Sequence, residues 1–462
     1  MKQIITLLLL ISLCSMWAKA QSIDEIRKAL DAYDYEMPIA RISPVAGDSL
    51  FTPLRAQALR AMNRYPEALK EWNSLLKADS ANTKVLIELA ECYKLINRGK
   101  DATACYGKAV ALHPENSFFR QQYIRSLLAG ESYEAARSAC HVWLEKDSMS
   151  ATAYKFLGIA YEGMVGDDNP DALSNAFMAY NAAYRIDSLD AQTVAHIAAI
   201  FNNNEQFRDA VDVTEKYRLT DTLNIDVNRQ NAKAYCMLKE YPTAVKRYEA
   251  LKEMGDHSFA TLYYLGVSHY GDNWVYGARD NLLEAHRKAP NDINVLYYLG
   301  KASARSSWKD EGVEYIKKAL EIVVPTDSLM AKLYDGLVEC YRYSNKSDPY
   351  EKIVAMKKLY SYNKKYTLFY NIAYTYDHQK DYANAVHYYE KYMSMVPADK
   401  QIVLDSDGKP MPNSDTLYQK ARRRVEKIKA EDFFRNGVHD DYFEPKILKA
   451  VKQKADSLNK IK

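Results

Sequence analysis

The stretch that decides the fold runs from Thr83 to Glu115, TKVLIELAECYKLINRGKDATACYGKAVALHPE. In its first half Leu86, Leu89, Ala90 and Tyr93 recur at i, i+3, i+4 and i+7, which places them on one face of a helix. In its second half Ala102, Tyr106 and Ala109 mark the apolar face of another helix, and Pro114 follows it. The segment therefore predicts two amphipathic helices that share an apolar seam and leave their outer faces for neighbours.

The same pattern returns at a period of 34 residues on either side of this segment. Residues 151 to 190 carry Tyr154, Leu157, Gly158, Tyr161, Ala176, Tyr180, Ala183 and Ser188 in the same places. Residues 259 to 292 carry Leu262, Leu265, Gly266, Ala278, Leu282, Ala285 and Pro290. Residues 366 to 399 carry Phe369, Ile372, Ala373, Tyr376, Ala385, Tyr389, Tyr392 and Pro397. The frame then predicts further units at 49–82, 117–150, 191–224, 225–258, 293–326 and 327–365, marked by pairs such as Ala68 and Trp72, Tyr133 and Ala136, Ala198 and Ala210, Tyr235 and Ala244, and Gly300 and Ala319. The unit at 327–365 matches worst.

Small residues at positions 8 and 20 are expected where two helices cross, because a larger side chain there would push the axes apart. Aromatics at positions 11 and 24 fill the space beside the crossing. A single pair cannot bury both outer faces, so neighbours must stack. This arrangement resembles the tetratricopeptide repeat (TPR) family, through positions 4, 7, 8, 11, 20, 24, 27 and 32 of the quoted stretch. The resemblance implies an all-α fold, a right-handed superhelix (α-solenoid) of about ten helix-turn-helix repeats over residues 49–399.

Two insertions are expected to leave the stack intact. Gly163 to Pro170 predicts a long turn inside the unit at 151–190. Extra length around Pro325-Thr326-Asp327-Ser328 precedes a second helix that should start at Asp348-Pro349. Residues 21–48 read as an N-terminal helix or cap, with Ser22 before a helix over Ile23 to Tyr33. Residues 400–414 read as a turn-rich linker, and Asp415 to Phe434 as a charged helix that caps the array ahead of a lysine-rich tail ending at 462.

The N-terminus predicts export. Lys2 precedes the apolar run Ile4 to Leu13, and Ala18-Lys19-Ala20 precedes Gln21, which together read as a signal peptide over 1–20 cleaved after Ala20. The run is too short to span a bilayer, and Leu13 before Cys14 disfavours a lipidated cysteine. The mature chain is expected in the periplasm or secreted, with no transmembrane segment. Its other cysteines, Cys92, Cys105, Cys140, Cys236 and Cys340, are odd in number and irregularly spaced, so they read as small apolar residues of helices and not as a disulfide framework.

Chemistry is hard to find in the 462 residues. The formal charge of +3, lowered to +1 without Lys2 and Lys19, gives no electrostatic footprint for nucleic acid. Gly99-Lys100 lacks the surrounding phosphate loop. No nucleophile elbow, zincin motif or zinc-spaced cysteine pair occurs, and the nine histidines stand singly. His269, at position 11 of its unit, reads as a half-buried core ring. Asp405-x-Asp407-Gly408 lacks the later ligands of a calcium loop and reads as a turn, and Asp167-Asp168 as a solvated pair. Neither an enzyme nor a cofactor is expected.

The remaining candidate is an inner surface. The resemblance implies that positions 2, 5, 9 and 12 of each first helix face a concave groove. It thereby assigns Tyr263, Val267 and Tyr270, then Tyr297, Lys301 and Ala304, then Tyr370, Tyr374 and Asp377 to one face, with Arg229, Lys233 and Arg305 beside them. Tyrosine offers broad contact at little cost in side-chain entropy, although its 38 occurrences also allow it to be a common filler. The lysine, asparagine and arginine set with which TPR domains clamp a C-terminal carboxylate is not reproduced. The expected function is a non-enzymatic scaffold or adaptor of the cell envelope that binds a protein or peptide partner in the groove. The alternative is a glycan- or peptide-ligand-binding protein using the same tyrosines.

Overall fold

The computed structural model describes residues 22–42, 50–346, 348–404, 410–411 and 416–436. The leader with its cleavage after Ala20, Cys14, Asp405 to Gly408 and the tail beyond 436 lie outside these residues. The chain divides into two compact units between Val227 and Asn228. The first holds α1 (22–31), α2 (Glu36–Arg41), α3 (Thr52–Ala61), α4 (Tyr65–Ala78), α5 (Thr83–Leu95), α6 (Gly99–Leu112), α7 (Ser117–Ala129), α8 (Tyr133–Lys146), α9 (Ala151–Gly163), α10 (Ala172–Ile186), α11 (Ala191–Asn203) and α12 (Phe207–Arg218). α13 (Ile225–Met237) contains the division. The second continues through α14 (Tyr241–Glu253), α15 (Phe259–Gly271), α16 (Val275–Lys288), α17 (Ile293–Ala304), α18 (Lys309–Ile322), α19 (Asp327–Tyr343), α20 (Pro349–Asn363), α21 (Thr367–His378) and α22 (Tyr382–Met395). A two-residue antiparallel ladder, Val403–Leu404 against Pro410–Met411, then precedes α23 (Leu417–Asn436).

Each unit is a stack of helix pairs of the tetratricopeptide kind. The strongest packing joins a helix to its chain neighbour, and the first helices of successive pairs also touch, as α7 does α9, α15 does α17 and α17 does α19. Positions 8 and 20 are both small: Ala90 and Ala102, Ala198 and Ala210, and Ala373 and Ala385 are all fully buried. Gly300 and Gly312 allow a close backbone crossing, since a Cβ on Gly312 would lie 2.6 Å from the Gly300 carbonyl oxygen. Position 24 supplies the bulk beside it, and Trp72, Tyr106, Tyr180, Tyr248 and Tyr389 are the largest fully buried side chains.

Local chemistry repeats with the packing. Asn82, Asn116, Ser150, Asp190, Ser258, Asp292 and Thr326 each cap the first helix of the next pair by accepting from the backbone N–H three residues on. Each such cap stabilises its helix by about 1 kcal/mol. The turn inside the pair uses a left-handed residue at position 15, seen at Asn63, Asn97, Glu131, Glu205, Lys239, Asn273 and Lys380. Where the chain departs from the period, the structure shows a loop over 164–171 and a helix, α20, capped by Asp348.

α23 sits against α22, with Ala421, Val425 and Ile428 joining the core. It takes the place of a next first helix, and Arg424 reaches back to hold both oxygens of Asp377 at 2.7 Å. Asp377, expected to face an open groove, is therefore engaged by the cap. Among the described residues no helix is long and apolar enough to cross a membrane.

Candidate functional site

α15, α17 and α19 lie side by side in the second unit, and their shared face gathers rings and charges. A cavity of about 420 Å³ opens there, lined by Tyr241, Val267, Tyr270, Gly271, Asn273, Tyr297, Tyr298, Lys301 and Arg305. Glu339 of α19 is its fixed point. It accepts from the Tyr270 hydroxyl at 3.1 Å and pairs with the Lys301 ammonium at 2.9 Å. Lys301 lies within about 5 Å of the Tyr270 and Tyr297 ring centres, at 5.4 and 5.1 Å, and Arg305 covers Tyr270 at 5.2 Å. Arg305 also donates to Asn273 Oδ1 at 2.6 Å, joining the turn of one repeat to the helix of the next.

Two lysines on this face are driven in opposite directions. Burial acts to lower the Lys301 ammonium, but its bond to Glu339 and the neighbouring tyrosines raise it overall. Lys332 is lowered, first by burial and then by the charge of Lys301. It lies 4.7 Å from the Tyr297 ring centre and donates to Asn294 Oδ1. Burial also raises the Tyr270, Tyr297 and Tyr298 hydroxyls, so they stay protonated donors at neutral pH.

Of the residues assigned from sequence, Tyr270, Tyr297, Lys301 and Arg305 come together here. Tyr297 is nearly buried, at 8 % exposure, because its ring rests on Gly336 of α19, where a Cβ would meet it at 2.7 Å. Tyr263 is half-buried and touches Tyr298 edge to face. Arg229 donates to Asp256 at 2.9 Å and does not line the cavity. Lys233 is half-buried and lowered by burial, away from the cavity lining. Tyr370 packs edge-on to Tyr389 and Tyr392 of its own pair, and Tyr374 stands exposed over His378. Tyr241, Tyr298, Asn273, Lys332 and Glu339 were not anticipated. Asn273 alone carried a signal, as the turn residue at position 15.

His269 is buried beyond the half-buried expectation, at 2 % exposure, edge-on to Trp274, and burial pushes its imidazole down to about 4. The five described cysteines are buried and unpaired, and burial raises the Cys92 thiol to about 11 and Cys140 to about 12. They pack as apolar groups. Among the described residues no group of three His, Cys, Asp or Glu side chains converges as metal ligands.

No family model matches the chain. It is 24% identical over 171 residues to a barley (Hordeum vulgare) protein described as a probable UDP-N-acetylglucosamine–peptide N-acetylglucosaminyltransferase SPINDLY, covering 36% of this chain and 18% of that one. The Arabidopsis thaliana protein of the same description is 31% identical over 91 residues, covering 18% and 10%. The chain thus spans less than a fifth of these curated relatives, at 18% and 10% of their lengths. Among solved structures, a human IFIT1 dimer with PPP-AAAA is similar at 14% identity and a TM-score of 0.38, over 79% of this chain and 94% of that one.

Proposed function

We propose that this chain is a non-catalytic scaffold that holds a segment of a partner protein against the face formed by α15, α17 and α19. The supporting observation is the interlocked set of Tyr270, Lys301, Arg305 and Glu339 around an open cavity. Rings and cations held by each other lose little freedom on binding, so contact there is retained as affinity. Lys301, Lys332 and Arg305 share this face, with Lys301 paired to Glu339, and their charge favours a segment carrying acidic side chains.

The test is a photo-crosslinking residue at Tyr241, on the cavity rim, followed by mass spectrometry of the adduct. One partner should be enriched, and both Tyr270→Ala and Arg305→Ala should reduce its adduct about tenfold while helicity is kept. An adduct undiminished by both changes would refute the assignment. The envelope setting is part of the same proposal and is supported by the Lys2 to Ala20 pattern. N-terminal sequencing of the mature protein should begin at Gln21, and a chain that keeps Met1 in the cytoplasm would remove the envelope role.

A further inference from the structure

A different edge of the second unit carries an observation that the groove does not use. Position 16, the last residue before each second helix, is polar in most repeats: Arg64, Arg98, Ser132, Gln206, Glu240 and Asp381. In two consecutive repeats it is tryptophan, Trp274 and Trp308. Both are left in water, 52% and 40% exposed, as is Tyr276 at 49%. Neighbouring large rings exposed where their counterparts are polar mark a surface suited to a ligand.

The rings are also seated. Trp274 lies against His269, with ring centres 4.4 Å apart, and against Gly277, where a Cβ would meet the indole at 2.5 Å. A glycine inside a helix costs about 1 kcal/mol relative to alanine, and here it makes room for an indole that remains half in solvent. Trp308 is held by the Arg279 guanidinium 3.8 Å from its ring centre and by the edge of Tyr276 at 6.4 Å. Arg279 is itself fixed to Glu311 at 2.8 Å, and the Tyr276 hydroxyl lies 3.2 Å from Ser307 Oγ. Each indole thus rests against protein and keeps a large part of its surface in solvent.

We propose that Trp274, Tyr276 and Trp308 form a binding edge for a neutral oligosaccharide of equatorially linked pyranose units. Such a chain is extended and repeats a flat C–H face that stacks on an indole, while its hydroxyls pair with the polar groups set among the rings. Between residues 255 and 321 the exposed large apolar side chains among the described residues are these three aromatics alone, without the leucine, isoleucine or methionine that a protein-docking patch would add. The nearby Arg279 is neutralised by Glu311, which favours an uncharged ligand. Tyr276 and Trp308 meet at 72° and do not form the parallel walls that grip a proline ring. This reading is independent of the groove and of its partner.

The mature full-length chain is titrated with cellohexaose and with the β-1,4-linked N-acetylglucosamine hexamer, following tryptophan fluorescence and heat, and is applied to an array of neutral glycans. Binding should shift the fluorescence, and Trp308→Ala should weaken it about tenfold or more. Gly277→Ala, which displaces Trp274 without removing it, should weaken it in the same direction, and Arg125→Ala in the first unit should leave it unchanged. A blank array with no titration would overturn the proposal. So would glycan binding that persists in a Trp274→Ala, Trp308→Ala chain with wild-type circular dichroism. A proline-rich peptide that binds at these tryptophans in place of any glycan would also overturn it.

Discussion

The first unit contains a cavity of about 800 Å³ between α5, α6 and α7, nearly twice the 420 Å³ opening beside α17 in the second. The larger space is the poorer site. Its cations, Lys94, Lys100 and Arg125, stand exposed, and its small polar groups are engaged by their own helices, Thr103 with the Gly99 carbonyl and Ser126 with that of Tyr123. In the second unit each ring or charge is held by another from a different helix, through Tyr270, Lys301, Arg305 and Glu339. Volume arises wherever repeats carry small residues, whereas a binding surface needs groups whose freedom is already spent.

Glycine substitutions should separate the two units most widely. Gly312→Val drives side-chain atoms into the Gly300 carbonyl and Ala304, and should destabilise the second unit by about 3 kcal/mol in urea titration. Gly99→Val beside the large cavity meets nothing within 4 Å and should cost about 1 kcal/mol or less. Equal losses would mean that the second unit is no more tightly keyed than the first.

His269 gives an effect of nearly the same size. Its imidazole, at about 4 in the folded protein, lies below its ordinary value of 6.5, so the unfolded chain binds the proton first. Its contribution is complete above pH 6.5 and is lost as pH falls toward about 4, amounting to about 3 kcal/mol. His269→Phe should flatten that part of the stability profile measured by denaturation at stepped pH. A wild-type profile already flat there would contradict the buried, neutral ring.

Smaller effects concern recognition and turns. Tyr270→Ala should weaken the crosslinked partner about tenfold, and Arg125→Ala in the first unit should leave it unchanged, as measured by competition binding. The reverse order would move the binding surface to the larger cavity. Glu131→Gly and Lys239→Gly, one from each unit, relieve left-handed turn residues at φ 55° and 63° and should each add about 0.5 kcal/mol by thermal melting. A gain in one unit alone would show that the turns are not equivalent.

Much of the fold was legible because it depends on residue size at fixed spacing. Ala90 with Ala102, Gly266 with Ala278, and the rings at Trp72, Tyr106 and Tyr180 announce helix crossings wherever they occur. Asp348-Pro349 and the Gly163 to Pro170 segment announce their helix start and loop by local chemistry. The caps from Asn82 to Thr326 and the turn residues at position 15 were equally local and could have been read from the same frame. The groove was legible only as a set of candidates. Tyr297 and Tyr298 are adjacent on α17 and about 100° apart around it, and the sequence offers no way to tell which one sinks.

The amino-acid order alone therefore determined the helix pairs, their period and the small residues at which they cross, since each depends on contacts within a few turns of chain. Tertiary structure decided which rings are buried and which remain available. Gly336 draws Tyr297 inward, Glu339 gathers Lys301 and Tyr270, and Arg424 engages Asp377, each from a helix supplied by another repeat. Those choices depend on what a neighbouring unit presents across the stack, and the poorest match to the period, α19, supplies two of the three.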